Sequence, residues 1–383
     1  MGTIGMAAAA KGPQRGFVTD SRPSHPDFTG VQILRGIAAV LVVIFHCGLM
    51  VQDRFPEIGT GMLLRSGASG VDIFFPISGF VMVISTLALA QRPDAWRIFA
   101  ERRLIRIVPL YWIATSLKVL AVLALPALAL HSKLTPWHTI ASYLFVFAYN
   151  AEGKPEPVVP VGWTLNFEMF FYAVFAATLF CRKPLFRTVT AVMVLVALAG
   201  AAIPKPYAPL SLFNPIVLEF VGGMAIARLT LAGLTVRPAT AIGLGLAALA
   251  AMVATDALSD DTVERARLLL WGVPGALMLF AAVSAEPWIR TREWRLPKLA
   301  GDASYSIYLS HGFVLPVFGI AFAKSGMHGL IGAATAFVVS IVVSVAAGIG
   351  VYLWIERPIT QGLLRWRKSR RFAAAQPNPA PTL

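Results

Sequence analysis

The chain has 383 residues, of which 57% are apolar and 14% charged, and its formal net charge is +14. An ordinary soluble domain carries about 25% charged residues, so this composition excludes an ordinary soluble enzyme and leaves no room for a separate soluble domain. The positive charge falls between long apolar runs, where membrane topology accounts for it better than a nucleic-acid partner does.

In chain order, residues 1–30 hold Ala, Gly and Pro with scattered Lys and Arg and no signal-peptide core, and read as a disordered cytoplasmic leader. Apolar segments follow at 31–51, 68–90, 104–128, 162–181, 185–203, 211–231, 238–255, 268–285, 300–323 and 329–355. Each approaches the roughly 20 residues that cross a ~30 Å hydrocarbon core as helix. The expected fold is therefore all-α, a polytopic bundle of about ten transmembrane helices filling a membrane domain over 31–360. Segment 137–149 (WHTIASYLFVFAY) is too short to span and rich in aromatics, which suits an interfacial or re-entrant helix. A basic cytoplasmic tail occupies 361–383 and is expected to be disordered from 372 onward. With ten crossings and a cytoplasmic N-terminus, 24 of the 33 lysines and arginines fall on the cytoplasmic side, 8 fall outside, and Lys118 lies within a span. That asymmetry obeys the positive-inside rule and places both termini in the cytoplasm. Cys47 and Cys181 lie in apolar runs and have neither a disulfide framework nor metal-ligand spacing, so no metal is expected.

A charged side chain at mid-bilayer costs something like 2.5–3.5 kcal/mol, so each needs a reason. Arg35, His46, Asp72, Lys118, Glu168, Glu219 and His311 all fall in apolar segments. Singly, each reads as interhelical glue or a snorkelling group; together they imply a polar cavity. His46 and Asp72 sit near the outer ends of the first two spans, and Glu168 in the outer half of the span at 162–181. Three groups suited to proton transfer are thus expected to converge at one level, with Asp72 fixing the tautomer of His46.

Arg35 and His46 are eleven residues apart, which is 20° beyond three full helical turns and ~16 Å along the axis, so both share one helix face. Arg35 lies at the same end as Arg102, Arg103 and Arg106, which form one ridge at i,i+3 and i,i+4 spacing. Topology alone accounts for most of these arginines; the sharper reading is a phosphate clamp, because guanidinium forks suit phosphate oxygens. In SYSIYLSH, Ser304, Tyr308 and His311 form a polar stripe, more often glue than catalysis.

At this point the residues resemble a family, the acyltransferase-3 membrane O-acyltransferases. The resemblance rests on LRGIAAVLVVIFH, GVDIFFPISGF, RRLIRIVPLYW, GWTLNFEMFFY, SYSIYLSH and the closing ERP, six motifs in the family's order over roughly 31–360. The text around 33–46 and 70–86 looks most like bacterial exopolysaccharide O-acetyltransferases. The resemblance implies transfer of an acyl group, usually acetyl from acetyl-CoA, to a hydroxyl of a glycan or lipid-linked oligosaccharide, in the bacterial cytoplasmic (inner) membrane. Acyl-CoA would be a donor substrate, with no permanently bound cofactor. The resemblance further implies catalytic roles for His46, Asp72 and Glu168 and CoA-binding roles for Arg35, Arg103 and Arg106, with Ser78, Tyr308 and His311 in support. One departure is Pro76 in FFPISGF, which predicts a kink or a freed carbonyl in the second span and leaves the placement of Ser78 to Phe80 open. No hydrolase-like domain follows the last span, which favours an acceptor that reaches the membrane domain itself. The competing readings are a transporter or flippase for a lipid-linked sugar, and a sensor or assembly subunit in which the polar groups only join helices. The oligomeric state is not readable.

Overall fold

The computed structural model describes residues 28–89, 91–124, 134–202 and 207–375, with side chains as far as Ser369. The expected leader lies outside the described residues except for its last three, as does the end of the tail, 376–383. Fifteen helices make up the described chain, which contains no strand. Nine of the helical stretches among the described residues are long and apolar enough to cross a membrane.

Helix α1 (Thr29–Arg54) opens the bundle. Its first two amides, of Thr29 and Gly30, donate to the Glu286 carboxylate at 2.8 Å each, so a distant acid satisfies the orphan donors of the helix start. Next come α2 (Gly70–Thr86) and α3 (Ala95–Ala124), the latter starting nine residues before the expected 104 and drawing the basic ridge into the helix. The short helix α4 (Pro136–Tyr143) is capped by Thr135, whose side chain accepts from the His138 amide. Its eight residues cannot span, in keeping with the expectation for 137–149.

After α5 (Trp163–Phe180) and α6 (Leu185–Ala202), the expected span at 211–231 proves shorter. It is α7 (Leu218–Leu231), of 14 residues, entered through a tight turn at Pro215–Val217. Helix α8 (Pro238–Ala254) precedes α9 (Asp260–Arg267), which runs through a π-helical turn at Leu268–Gly272 into α10 (Val273–Ser284). The span expected from 268 thus begins at Asp260, because Arg267 is drawn into the bundle rather than left in a loop. Short α11 (Glu286–Ile289) and α12 (Arg295–Asp302) lead to α13 (Ser304–Lys324) and α14 (Gly329–Val351). A second π turn joins α14 to α15 (Arg357–Ala375), so the basic tail is helical as far as Ala375.

Helix α1 is central and touches α2, α10, α12, α13 and α14. Helix α2 is the most enclosed, with 72% of its apolar window buried against 22% for α6 and α8, which therefore face outward. Leu195 and Leu198 on α6 and Val338 and Val342 on α14 are exposed stripes at helical spacing that lipid would cover. Pro76 does not break α2. Lacking an N–H, it leaves the Asp72 carbonyl without its helical donor. Gly275 of α10 packs on that carbonyl and Gly223 of α7 on that of Pro76, where a β-carbon would overlap each. The two glycines thus pack closely around Pro76, and two residues further on the Ser78 hydroxyl donates to Glu168.

Candidate active site

Among the described residues, two cavities within the bundle gather the polar groups singled out above. The first, of about 230 Å³, takes Arg35 from α1, Ser78 from α2, Arg103 and Arg106 from α3, and Glu168 and Tyr172 from α5. Arg35 Nη1 donates to Gln32 Oε1 at 3.3 Å, and Arg103 Nη2 to Ser85 Oγ at 3.2 Å. Arg103 Nε and Arg106 Nη2 are buried without a hydrogen-bond partner. The sole carboxylate of this wall, Glu168, accepts from the Ser78 hydroxyl at 2.8 Å and from the Tyr172 hydroxyl, and is ion-paired to none of the three arginines. An unmatched buried donor costs about 1–3 kcal/mol, and more when charged. The cavity is therefore short of anionic oxygen, which a phosphate-bearing ligand would supply.

The second cavity, of about 450 Å³, is walled by His46 of α1, Trp163 of α5, Glu264 and Arg267 of α9, Trp271 of the π turn, and Glu156 of the loop before α5. His46 Nδ1 lies 2.9 Å from the carbonyl of Val42 in its own helix. A carbonyl only accepts, so Nδ1 carries the proton and Nε2 the lone pair. His311 of α13 repeats the device: its Nδ1 is 3.2 Å from the Ile307 carbonyl, and its Nε2 is buried without a partner. The two imidazole centroids are 4.8 Å apart.

The expected convergence of His46, Asp72 and Glu168 does not occur. Asp72, fully buried, makes two bonds of 2.9 Å to Arg267, while Glu168 faces the arginine cavity. The tautomer of His46 is fixed by Val42 and not by Asp72. The reason is helical phase. Ser78, which meets Glu168, is six residues beyond Asp72, so it is turned by 240° and lies ~9 Å further along α2. The face of α2 that carries Asp72 turns to Arg267 rather than to His46. Glu219 of α7 lies against Asp72 and has both oxygens buried without a hydrogen-bond donor, so the group at this level is Asp72, Arg267 and Glu219. The Arg267 guanidinium also lies over the rings of Trp271 at 5.1 Å and Trp163 at 5.8 Å.

Arg35, Arg103, Arg106, Ser78 and Glu168 are brought together, and so are His46 and His311. Tyr308 stands between the groups. Together with Val71 it lines both cavities, and its hydroxyl is fixed 2.7 Å from the Val161 carbonyl and 3.0 Å from Thr164 Oγ1. Sequence reasoning missed Arg267, Tyr172, Trp163, Trp271, Glu156 and Glu264. Two of these had signals: a membrane-buried Asp72 requires a cation, and Tyr172 stands at i+4 from Glu168. Burial pushes the Glu156 carboxyl up from its ordinary value.

Comparison with known proteins covers nearly the whole bundle. The model of the acyltransferase-3 family, described as an acyltransferase domain, matches residues 28–353. The exopolysaccharide production protein ExoZ of Rhizobium meliloti (strain 1021) is 36% identical over 322 residues, 82% of this chain and 95% of that protein. No solved structure matches significantly.

Proposed function

This chain belongs to the acyltransferase-3 family and is a multi-pass membrane acyltransferase, and from that premise we propose that it moves an acetyl group from acetyl-CoA to a sugar hydroxyl in exopolysaccharide production. The observation that carries the proposal is the pair of cavities meeting at Tyr308 and Val71, one with three arginines short of anionic oxygen, the other with an available histidine nitrogen. The CoA phosphates dock on Arg35, Arg103 and Arg106 from the cytoplasmic side of the inner membrane. The pantetheine arm then brings the thioester along α1, whose Arg35-to-His46 rise is ~16 Å, to the Tyr308 wall. On the other side His46 faces the acceptor, a glycan or lipid-linked sugar.

His46 Nε2 takes the proton of the acceptor hydroxyl, and the oxygen forms a bond to the thioester carbonyl carbon. The carbon–sulfur bond then breaks, and CoA leaves as the thiolate, which receives that proton back from the imidazolium. Val42 holds the tautomer this requires, and His311 packs on the imidazole. Glu168 keeps Ser78 and Tyr172 oriented at the donor cavity rather than touching the acceptor.

His46→Ala is the test. With the full chain in nanodiscs, acetyl transfer from labelled acetyl-CoA should fall by at least 10³-fold, a loss typical of removing a catalytic base with its tautomer. Acetyl-CoA binding should persist. Transfer at the native rate would sink the proposal. Movement of a lipid-linked sugar across vesicles without acetyl-CoA consumption would instead identify a flippase.

A further inference from the structure

The two cavities differ in the sign of what they leave unpaired, and that difference bears on the acceptor. Both arginines on the His46 cavity wall are already neutralised: Arg267 by Asp72 through two bonds of 2.9 Å, and Arg65 by Asp260 at 2.6 Å. Glu156 and Glu264 line the same cavity, and neither side chain makes a hydrogen bond or ion pair among the described residues, Lys154 and Arg267 acting on them only through longer-range charge. The wall therefore offers free acceptors and no free cation. An anionic ligand would meet like charge on half-buried Glu156 and on solvent-screened Glu264, which disfavours it against a neutral one. A neutral ligand rich in O–H donors would satisfy both acids with charge-assisted bonds.

The apolar part of the wall points to the same chemistry. Trp163 is half-buried on the cavity, and its ring is fixed by Arg267 at 5.8 Å and by an edge contact to Phe167 at 5.9 Å. Trp271 donates its indole N–H to Thr255 at 2.9 Å, so its ring is pinned as well. Rigid indoles give a flat apolar surface at low entropic cost, suited to the C–H face of a sugar ring. At about 450 Å³ the cavity falls within the ordinary range for small ligands.

We propose that the His46 cavity is a subsite for an uncharged sugar ring, packed on Trp163 and hydrogen-bonded through its hydroxyls to Glu156 and Glu264, and that it rejects uronic acids and phosphorylated sugars. The proposal rests on the acyltransferase reading and adds to it where the acceptor binds and which acceptors are refused. In this arrangement Arg267 is a positioning residue, because it orients the indoles and is itself spent on Asp72.

The test uses the full chain in nanodiscs with acetyl-CoA and two probe acceptors of equal shape, octyl β-glucoside and octyl β-glucuronide. The glucoside should be acetylated at least about tenfold faster at neutral pH, the factor that one unpaired interaction supplies. Glu264→Gln, at an exposed position, and Glu156→Gln should raise the KM for the glucoside and improve use of the glucuronide, with the KM for acetyl-CoA unchanged. Trp163→Ala should raise the KM for both acceptors. A merely structural role for the two acids would not invert acceptor preference. Equal use of both acceptors by the native protein, or unaltered preference in the two glutamine variants, overturns the subsite while leaving the acyltransferase reading standing. No acetyl-CoA consumption with either acceptor overturns both.

Discussion

The arginine cavity sets three arginines against one carboxylate, and that carboxylate is occupied by hydroxyls. The His46 cavity also carries arginines, but each has its own aspartate at ion-pair distance. The same residue type therefore does two different jobs a few turns apart in one bundle. A guanidinium whose partner is internal holds helices: Arg267 ties α9 to α2. Arg103 and Arg106 instead each keep one buried N–H without an acceptor, which is the contrast on which the proposed phosphate site rests. Charge count alone does not separate the two cavities. Where each charge finds its counter-charge does.

Breaking an internal pair should have the largest effect on the folded protein. Asp72→Ala removes both bonds that Arg267 makes and leaves it only Glu219 and Glu264 as nearby counter-charges, so the unfolding free energy should fall by about 1–3 kcal/mol, read as a lower thermal midpoint in nanodiscs. Replacing both together, as Asp72→Ala with Arg267→Met, should recover part of that loss, since the buried cation goes with its partner while Glu219 stays buried beside them. If Asp72→Ala melts with the native protein, the pair is not what ties α2 to α9, and the contrast between the cavities collapses.

Removing a waiting charge should act on the ligand instead. Arg106→Gln should raise the KM for acetyl-CoA roughly 10–100-fold, the value of one or two charge-assisted hydrogen bonds, with kcat nearly kept. Its thermal midpoint should hold or rise, because a buried donor without a partner is relieved. The dependence of donor KM on salt should also weaken in this variant. A midpoint lowered as far as that of Asp72→Ala would assign Arg106 to structure.

Much of this arrangement was legible before any fold was known, and the limit of legibility is physical. Spans, the short α4 and the shared face of Arg35 and His46 follow from hydropathy and the 3.6-residue period, which are local properties. The arginine cavity was legible too, since Arg103 and Arg106 sit on one ridge at the Arg35 end of the bundle. What failed was the partner of Asp72. Depth in the membrane can be counted from a helix end, but the direction in which a side chain faces depends on how helices are rotated against each other. Arg267 is 195 residues away in sequence, and the π turn that follows it alters the helical phase by a residue. His46 shows the complementary error: a His in a membrane helix needs no carboxylate to fix its tautomer when the carbonyl at i−4 is in reach. The same holds for His311, whose packing against His46 could not be read from spacing, since the two lie on different helices.

The smallest effect is expected where the cavities touch. Tyr308 lines both cavities with its ring, edge-on to Phe74 at 6.0 Å, while its hydroxyl anchors it to Val161 and to Thr164 at the start of α5. Tyr308→Phe keeps the ring and removes the anchor, so it should cost about 1 kcal/mol of stability, the net worth of a neutral hydrogen bond, less any strain left on the Val161 carbonyl. Acceptor-free hydrolysis of acetyl-CoA should stay within about twofold of native, because the ring that lines both cavities is kept and only its hydroxyl is removed. A several-fold rise in that hydrolysis would show the opposite. The ring then swings when unanchored, and the separation of the two cavities depends on a pair of hydrogen bonds rather than on the bulk of one side chain.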